Sequence, residues 1–199
     1  MKSFGLTGGI ATGKSTVVRM MLSIDPCIVI FDADLCVHKL YQSLEILDKM
    51  QKMFGTRVMT TEGRLDRGYL REIVFSDEDK KEELQNMIHP IVRKECLAMQ
   101  DKALHNSGTS FFVADVPLLF ESGYDFGQEE NLVVATSLKT QVKRLKMRSG
   151  LDDDTVYAIL EAQLSISHKE KCADVVLWNE GPESVLETQV KRFIKEQIS

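Results

Sequence analysis

Cysteine and proline are scarce, at four residues each in 199. Cys27, Cys36, Cys96 and Cys172 are scattered and form no CxxC pair. That pattern excludes a disulfide framework or a zinc ribbon as the organiser of the fold and suits reduced thiols. Long hydrophobic runs are missing as well, and no stretch approaches the length that spans a bilayer. Met1-Lys2-Ser3 passes directly into a short apolar segment and not into a signal-peptide core, so the expectation is a cytoplasmic protein with no membrane partner. Positive charge is in deficit: 25 Lys and Arg against 30 Asp and Glu leave a net charge of −5. This argues against nucleic acid as the partner. A nucleotide stays compatible, because backbone amides and a few cations hold phosphate inside an acidic protein. Internal repeats and low-complexity segments are lacking too.

What is present is an ordinary globular composition, 43% hydrophobic and 28% charged. The length suits one compact domain with a substrate-binding elaboration, and its core needs no metal or disulfide staple. Short, continuously apolar runs at 3–7, 28–31, 111–114, 132–136 and 174–178 read as strands covered on both faces. Helical patterns alternate with them, beginning at 14–24, which is the signature of a parallel sheet with helices around it. Between the second and third strands lie about eighty residues without strand signal, far beyond an ordinary crossover. Helices are expected there at 35–54, 67–75 and 79–105, with a turn at Thr60-Thr61-Glu62-Gly63. Residues 138–170 are charged and helical, broken at Gly150 and capped by Asp152 to Asp154. A last helix follows Gly181-Pro182, with Leu186, Val190, Phe193 and Ile194 on its inner stripe. The expected class is α/β, a three-layer P-loop NTPase fold with a five-stranded parallel sheet, a helical substrate-binding insertion and a helical lid.

Gly8-Gly9-Ile10-Ala11-Thr12-Gly13-Lys14-Ser15-Thr16 matches G-x-x-x-x-G-K-[ST] between a strand and a helix. Glycines let the backbone turn so that successive N–H groups face phosphate oxygens, and the helix start adds its positive dipole end. Lys14 would reach the β- and γ-phosphates, and the Ser15 hydroxyl would ligate Mg²⁺.

Asp32 and Asp34 follow the second strand, at the edge where open α/β sheets place ligands. They suit positioning Mg²⁺ or accepting a proton from an attacking hydroxyl, or equally the capping of the next helix. Asp115 after the third strand resembles a Walker B acid, with a plain strand-end carboxylate as the alternative. Arg144 and Arg148 share one helix face, either to neutralise charge that develops during transfer or as part of a solvated basic helix. His89-Pro90 by itself reads as a histidine at a helix break. No Asn-Lys-x-Asp base-reading motif, protein-kinase catalytic loop or His/Cys cluster occurs. A small-molecule kinase remains, with a nucleoside or nucleotide monophosphate kinase and a non-catalytic nucleotide switch as the other readings.

Taken together, the scattered features resemble the dephospho-CoA kinase family. Leu6-Thr7-Gly8-Gly9-Ile10 with Gly13-Lys14-Ser15, Asp32-Ala33-Asp34, Phe54-Gly55 and Gly63-Arg64-Leu65-Asp66-Arg67 carry the likeness. Leu70-Arg71, Phe75, His89-Pro90, Pro117-Leu118-Leu119-Phe120-Glu121, Arg144 with Arg148, Gln163, and Asn179 near Gly181 continue it in order along nearly the whole chain. The resemblance implies ATP-dependent phosphorylation of the ribose 3′-hydroxyl of dephospho-CoA, with Mg²⁺. It implies a nucleotide-binding core (1–34, 106–139, 171–199), a CoA domain (35–105) and a lid (140–170). It makes Asp34 the group that orients or deprotonates the hydroxyl, and Arg144 and Arg148 lid arginines near ATP. Arg67, His89, Pro117, Leu118 and Glu121 would surround the acceptor, and Asn179 would flank the adenine. Three departures stand out: Ala11 where the family has glycine, Gln42-Ser43-Leu44-Glu45 in place of a Gly-x-Pro interruption, and Trp178 where Asp is common. Ala11 fits the loop without strain only at negative φ.

Overall fold

The computed structural model describes residues 1–123 and 125–198. Five short apolar segments form strands β1 (Ser3–Gly8), β2 (Val29–Asp32), β3 (Phe112–Asp115), β4 (Glu130–Ala135) and β5 (Val175–Trp178). All pair in parallel in the order β2-β3-β1-β4-β5. β1 is central and every one of its residues is buried. Its alternating side chains divide two layers. Phe4 and Leu6, with Val113, Leu132, Val134 and Leu177, enter a core closed by helices α1 (Lys14–Ile24) and α10 (Glu183–Ile198). Phe4 packs edge-on against Phe111 and Phe193, with ring centroids 5.4 and 5.0 Å away. Gly5 points to the opposite side, where a Cβ would sit 2.8 Å from Leu119 of the short helix α6 (Leu119–Ser122). The expected stripe of α10 is buried at Leu186, Val190, Phe193 and Ile194.

The chain divides into two units, residues 1–32 with 96–199 and residues 33–95. The first holds the sheet, α1, α6, α10 and three helices between β4 and β5: α7 (Leu138–Ser149), α8 (Asp153–Glu161) and α9 (Ile166–Lys171). α7 ends at Gly150 in the left-handed region at φ 62°, and Asp152 caps α8 by accepting from the Thr155 amide. The second contains α2 (Ala33–Leu40), α3 (Leu44–Phe54), a 3-10 turn at Thr56–Val58, α4 (Arg67–Ser76) and the first part of α5 (Glu78–Leu104). Among the described residues no helix is long and apolar enough to cross a membrane.

Two local expectations are corrected here. The single helix expected at 35–54 is two, because Ser43 leaves the helix with extended backbone and stands at the start of α3. A break at this place therefore does not require the Gly-x-Pro sequence. Conversely, His89-Pro90 marks no helix break: Pro90 lies inside the 27-residue α5. Pro90 is exposed, so the carbonyl that loses its helical partner there can meet water.

Candidate active site

The loop leaves the carboxyl end of the central strand, where β1 passes to α1 and the neighbouring strands diverge in sequence. Gly13 occupies the N-cap of α1 at φ 101° with no side-chain cap; the Thr16 amide turns back to Gly13 O at 3.0 Å, which leaves the Lys14 and Ser15 amides for an anion. Glycine is required at its two ends. A Cβ on Gly8 would lie 2.6 Å from the Val134 carbonyl oxygen, and one on Gly13 would lie 2.2 Å from Asn179 Nδ2. Ala11 takes φ 60°, so the negative φ that would have spared it strain is not what the loop adopts.

The carbonyls of this loop are held by side chains, all but one of which come from beyond the loop. Lys169 Nζ donates to Gly8 O at 3.2 Å, and Thr12 Oγ1 donates to Gly9 O at 2.8 Å. Gln141 Nε2 reaches Ile10 O at 2.7 Å. One Arg144 nitrogen bonds Ala11 O and Thr12 O at 3.2 and 3.3 Å, while Asn179 Nδ2 bonds Thr12 O at 2.7 Å. Within a peptide unit C=O and N–H point in opposite directions. Carbonyls tied down on the outside therefore turn the amides of the same units inward. Two amides are spent: Ile10 N–H donates to Gln163 Oε1 at 3.1 Å and Thr12 N–H to Gly9 O at 3.3 Å. Arg144 also donates to Asn179 O at 3.0 Å, joining α7 to the end of β5. Charge-assisted bonds of this kind contribute about 1.5–3 kcal/mol each, so the loop is preformed.

Lys14 is ion-paired with Asp115. Asp115 lies opposite Asp32 in the β2–β3 ladder. Ser15 is exposed in the first turn of α1. A hydroxyl and carboxylates at one sheet edge form a hard oxygen donor set, which fits Mg²⁺. Among the described residues no cluster of three His, Cys, Asp or Glu could hold a metal alone.

The dephospho-CoA kinase family model matches residues 3–197. A dephospho-CoA kinase of Bacillus licheniformis is 37% identical over 191 residues, 96% of this chain and 94% of that protein. The enzyme of that name from Symbiobacterium thermophilum is 38% identical over 91% of this chain and 75% of its own length. Among solved structures, dephospho-CoA kinase from Campylobacter jejuni aligns at TM-score 0.72 and 31% identity, covering 98% of this chain and 97% of that one. This chain belongs to the dephospho-CoA kinase family.

The expected dephospho-CoA kinase residues fall into both units. In the first, Gly8 to Thr16, Asp115, Pro117, Glu121, Arg144 and Asn179 connect through the bonds around the loop. Thr7 Oγ1 donates to Pro117 O at 2.9 Å, and Glu121 Oε1 accepts from Lys169 at 2.8 Å. Leu118 precedes α6 and is partly exposed. Arg148 is exposed one turn beyond Arg144, so of the two arginines on that face Arg144 holds the loop. Asn179 is buried and spends its side-chain amide on Thr12 O.

In the second unit Asp34 is exposed in the first turn of α2. Arg67 starts α4 behind the Asp66 cap and bonds His38 Nδ1 at 2.7 Å, with its guanidinium 5.5 Å over the Tyr41 ring. Burial pushes the Tyr41 phenol up, and Arg67 opposes that shift. Half-burial of His89 lowers its imidazole below the ordinary value, favouring the neutral ring.

Three contributors escape a reading of the sequence. Gln141 and Lys169 sit in charged helices with no motif around them. Glu180 accepts from Thr136 Oγ1 at 2.6 Å, the Ser137 amide at 2.8 Å and Thr140 Oγ1 at 2.6 Å. It thereby anchors the start of α7, and these donors pull its carboxyl down to about 2. A glutamate after a strand end gives no signal of that kind in advance.

Proposed function

We propose that this chain transfers the γ-phosphoryl group of ATP to the ribose 3′-hydroxyl of dephospho-CoA, giving coenzyme A and ADP. The observation that carries the reading is a phosphate loop with outward-clamped carbonyls in a chain that matches the family from end to end. Gly8 to Thr16 hold the nucleotide phosphates, with Lys14 leaving Asp115 for the β- and γ-phosphates. Ser15, with Asp115 and Asp32, would hold Mg²⁺, which would supply neutralisation of phosphate charge. Asp34 holds the acceptor hydroxyl in line and takes its proton as the new P–O bond forms. Arg67, His89, Pro117, Leu118 and Glu121 contact the acceptor. Arg144 keeps the loop in shape, Asn179 supports it beside the adenine, and Arg148 comes over the phosphates when the lid closes. The roles of the parts follow: residues 1–34, 106–139 and 171–199 bind nucleotide, 35–105 bind the CoA moiety, and 140–170 cover ATP. Closure would exclude water and limit wasteful hydrolysis.

The test is ADP release coupled to NADH oxidation, with MgATP and either dephospho-CoA or a panel of nucleoside monophosphates. Dephospho-CoA should turn over and yield a 3′-phosphorylated product. Turnover of nucleoside monophosphates alone, or nucleotide binding without acceptor-dependent ADP release, would sink the proposal.

A further inference from the structure

Lys169 is fully buried, a rare setting for an ammonium because desolvation costs several kcal/mol unless every donor is met. Its three N–H groups have three oxygens: Glu121 Oε1 at 2.8 Å, Gly8 O at 3.2 Å and Pro117 O at 3.3 Å. Each partner has a second function. Gly8 opens the phosphate loop at the end of β1. Pro117 begins the turn after β3, and its carbonyl also accepts from Thr7 Oγ1 at 2.9 Å. Glu121 Oε1 also receives the Leu164 amide at 3.0 Å, which fixes the approach to α9. One ammonium thus ties α9 to the loop entrance and to the turn that follows the neighbouring strand.

We infer that Lys169 is a positioning residue for phosphoryl transfer, and that α9 stays seated throughout turnover while any closing motion is confined to the chain between Arg144 and Gln163. This rests on the kinase reading above. Lifting α9 would strand an ammonium and a carboxylate, take the Lys169 donor from Gly8 O and leave Pro117 O with Thr7 Oγ1 alone, which makes that end of the segment a fixed post. α8, by contrast, buries Val156 alone, pairs Asp153 with Lys146 of α7 inside the same stretch of chain, and exposes Tyr157, so it has less to lose by moving.

Lys169→Met, Glu121→Gln and the double variant separate positioning from stability. Lys169→Met leaves a buried carboxylate without its cation and should lower both the melting midpoint and kcat. Lys169→Met/Glu121→Gln removes that charge, so the midpoint should recover. Its kcat should nevertheless stay about tenfold or more below that of Glu121→Gln alone, because Gly8 O still lacks the Lys169 donor and Pro117 O keeps only Thr7 Oγ1. A double variant as fast as Glu121→Gln overturns the positioning role. Reductive methylation of the wild-type protein, read by mass spectrometry, tests the seat independently. Lys139 and Lys143 should label while Lys169 stays protected, both in the free protein and during turnover with MgATP and dephospho-CoA. Labelling of Lys169 at the surface rate during turnover overturns the fixed post. Failure of the kinase reading would look different: wild-type protein inactive on dephospho-CoA, with the labelling pattern unaffected.

Discussion

Lys14 at the start of α1 and Asp115 at the end of β3 form an ion pair, with the lysine side chain 17% and the aspartate side chain 9% exposed. The lysine expected on the β- and γ-phosphates is thus already held at the loop by a carboxylate that suits a metal. On the proposed reading, nucleotide binding would exchange one anionic partner of Lys14 for another, so the ammonium would not be left bare in a partly buried place. Lys14→Ala should lower kcat about a hundredfold or more through lost stabilisation of the transferring group, measured by the coupled ADP assay.

Asp34→Asn separates chemistry from nucleotide binding. The amide preserves shape and a cap-competent oxygen but cannot take a proton. Turnover should fall about tenfold or more with ATP affinity within about twofold of wild type, by steady-state kinetics and calorimetric titration. Wild-type turnover would reduce Asp34 to a helix-start residue.

The two arginines of α7 should part company. Arg144→Ala removes donors from Ala11 O, Thr12 O and Asn179 O, costing about 2 kcal/mol in denaturant unfolding and weakening ATP binding. Arg148→Ala removes an exposed side chain and should leave stability within about 0.5 kcal/mol while slowing turnover.

Ala11→Gly should stabilise the protein. At φ 60° an alanine bears about 1–2 kcal/mol of left-handed strain. Glycine relieves it and loses about 0.4–1 kcal/mol to a freer unfolded chain. The net gain of about 0.5–1 kcal/mol should appear as a rise of about 1–4 °C in the melting midpoint.

Glu180 sets an acid limit. Its carboxyl is lowered from an ordinary 4.5 to about 2 by the hydroxyls of Thr136 and Thr140 and the Ser137 amide. A depressed carboxylate contributes stability that is complete above the unfolded value and is lost as pH falls from about 4.5 through about 2. Glu180→Gln has nothing to titrate, so its melting midpoint should be lower at neutral pH and fall less steeply across that window.

The strands were legible because each is a short apolar run, and helix 14–24 because its periodicity follows a G-K-[ST] start. Pro90 misled because proline is read through the backbone it normally breaks, whereas an exposed site in a long helix tolerates it. Ser43 lies in Gln42-Ser43-Leu44-Glu45, which carries no glycine or proline, so the sequence shows no break there. Its role at the start of α3 depends on backbone geometry and not on a dipeptide signal.

The sequence by itself determined that a phosphate loop joins the first strand to the first helix, since eight contiguous residues specify that turn through local sterics and backbone amides. It also determined the parallel sheet, through short apolar runs, although β5 is not covered on both faces as expected: at the sheet edge it leaves Val176 and Trp178 exposed. Only the tertiary structure decided what holds the loop open. Gln141 lies 131 residues from the carbonyl it bonds and Asn179 lies 167 from its own, with Lys169 161 away. A hydrogen bond to a distant backbone oxygen needs one donor at one place in space, and no periodicity along the chain records it. The same holds for Ala11, whose φ is set by carbonyls tied down from outside and not by its own preference.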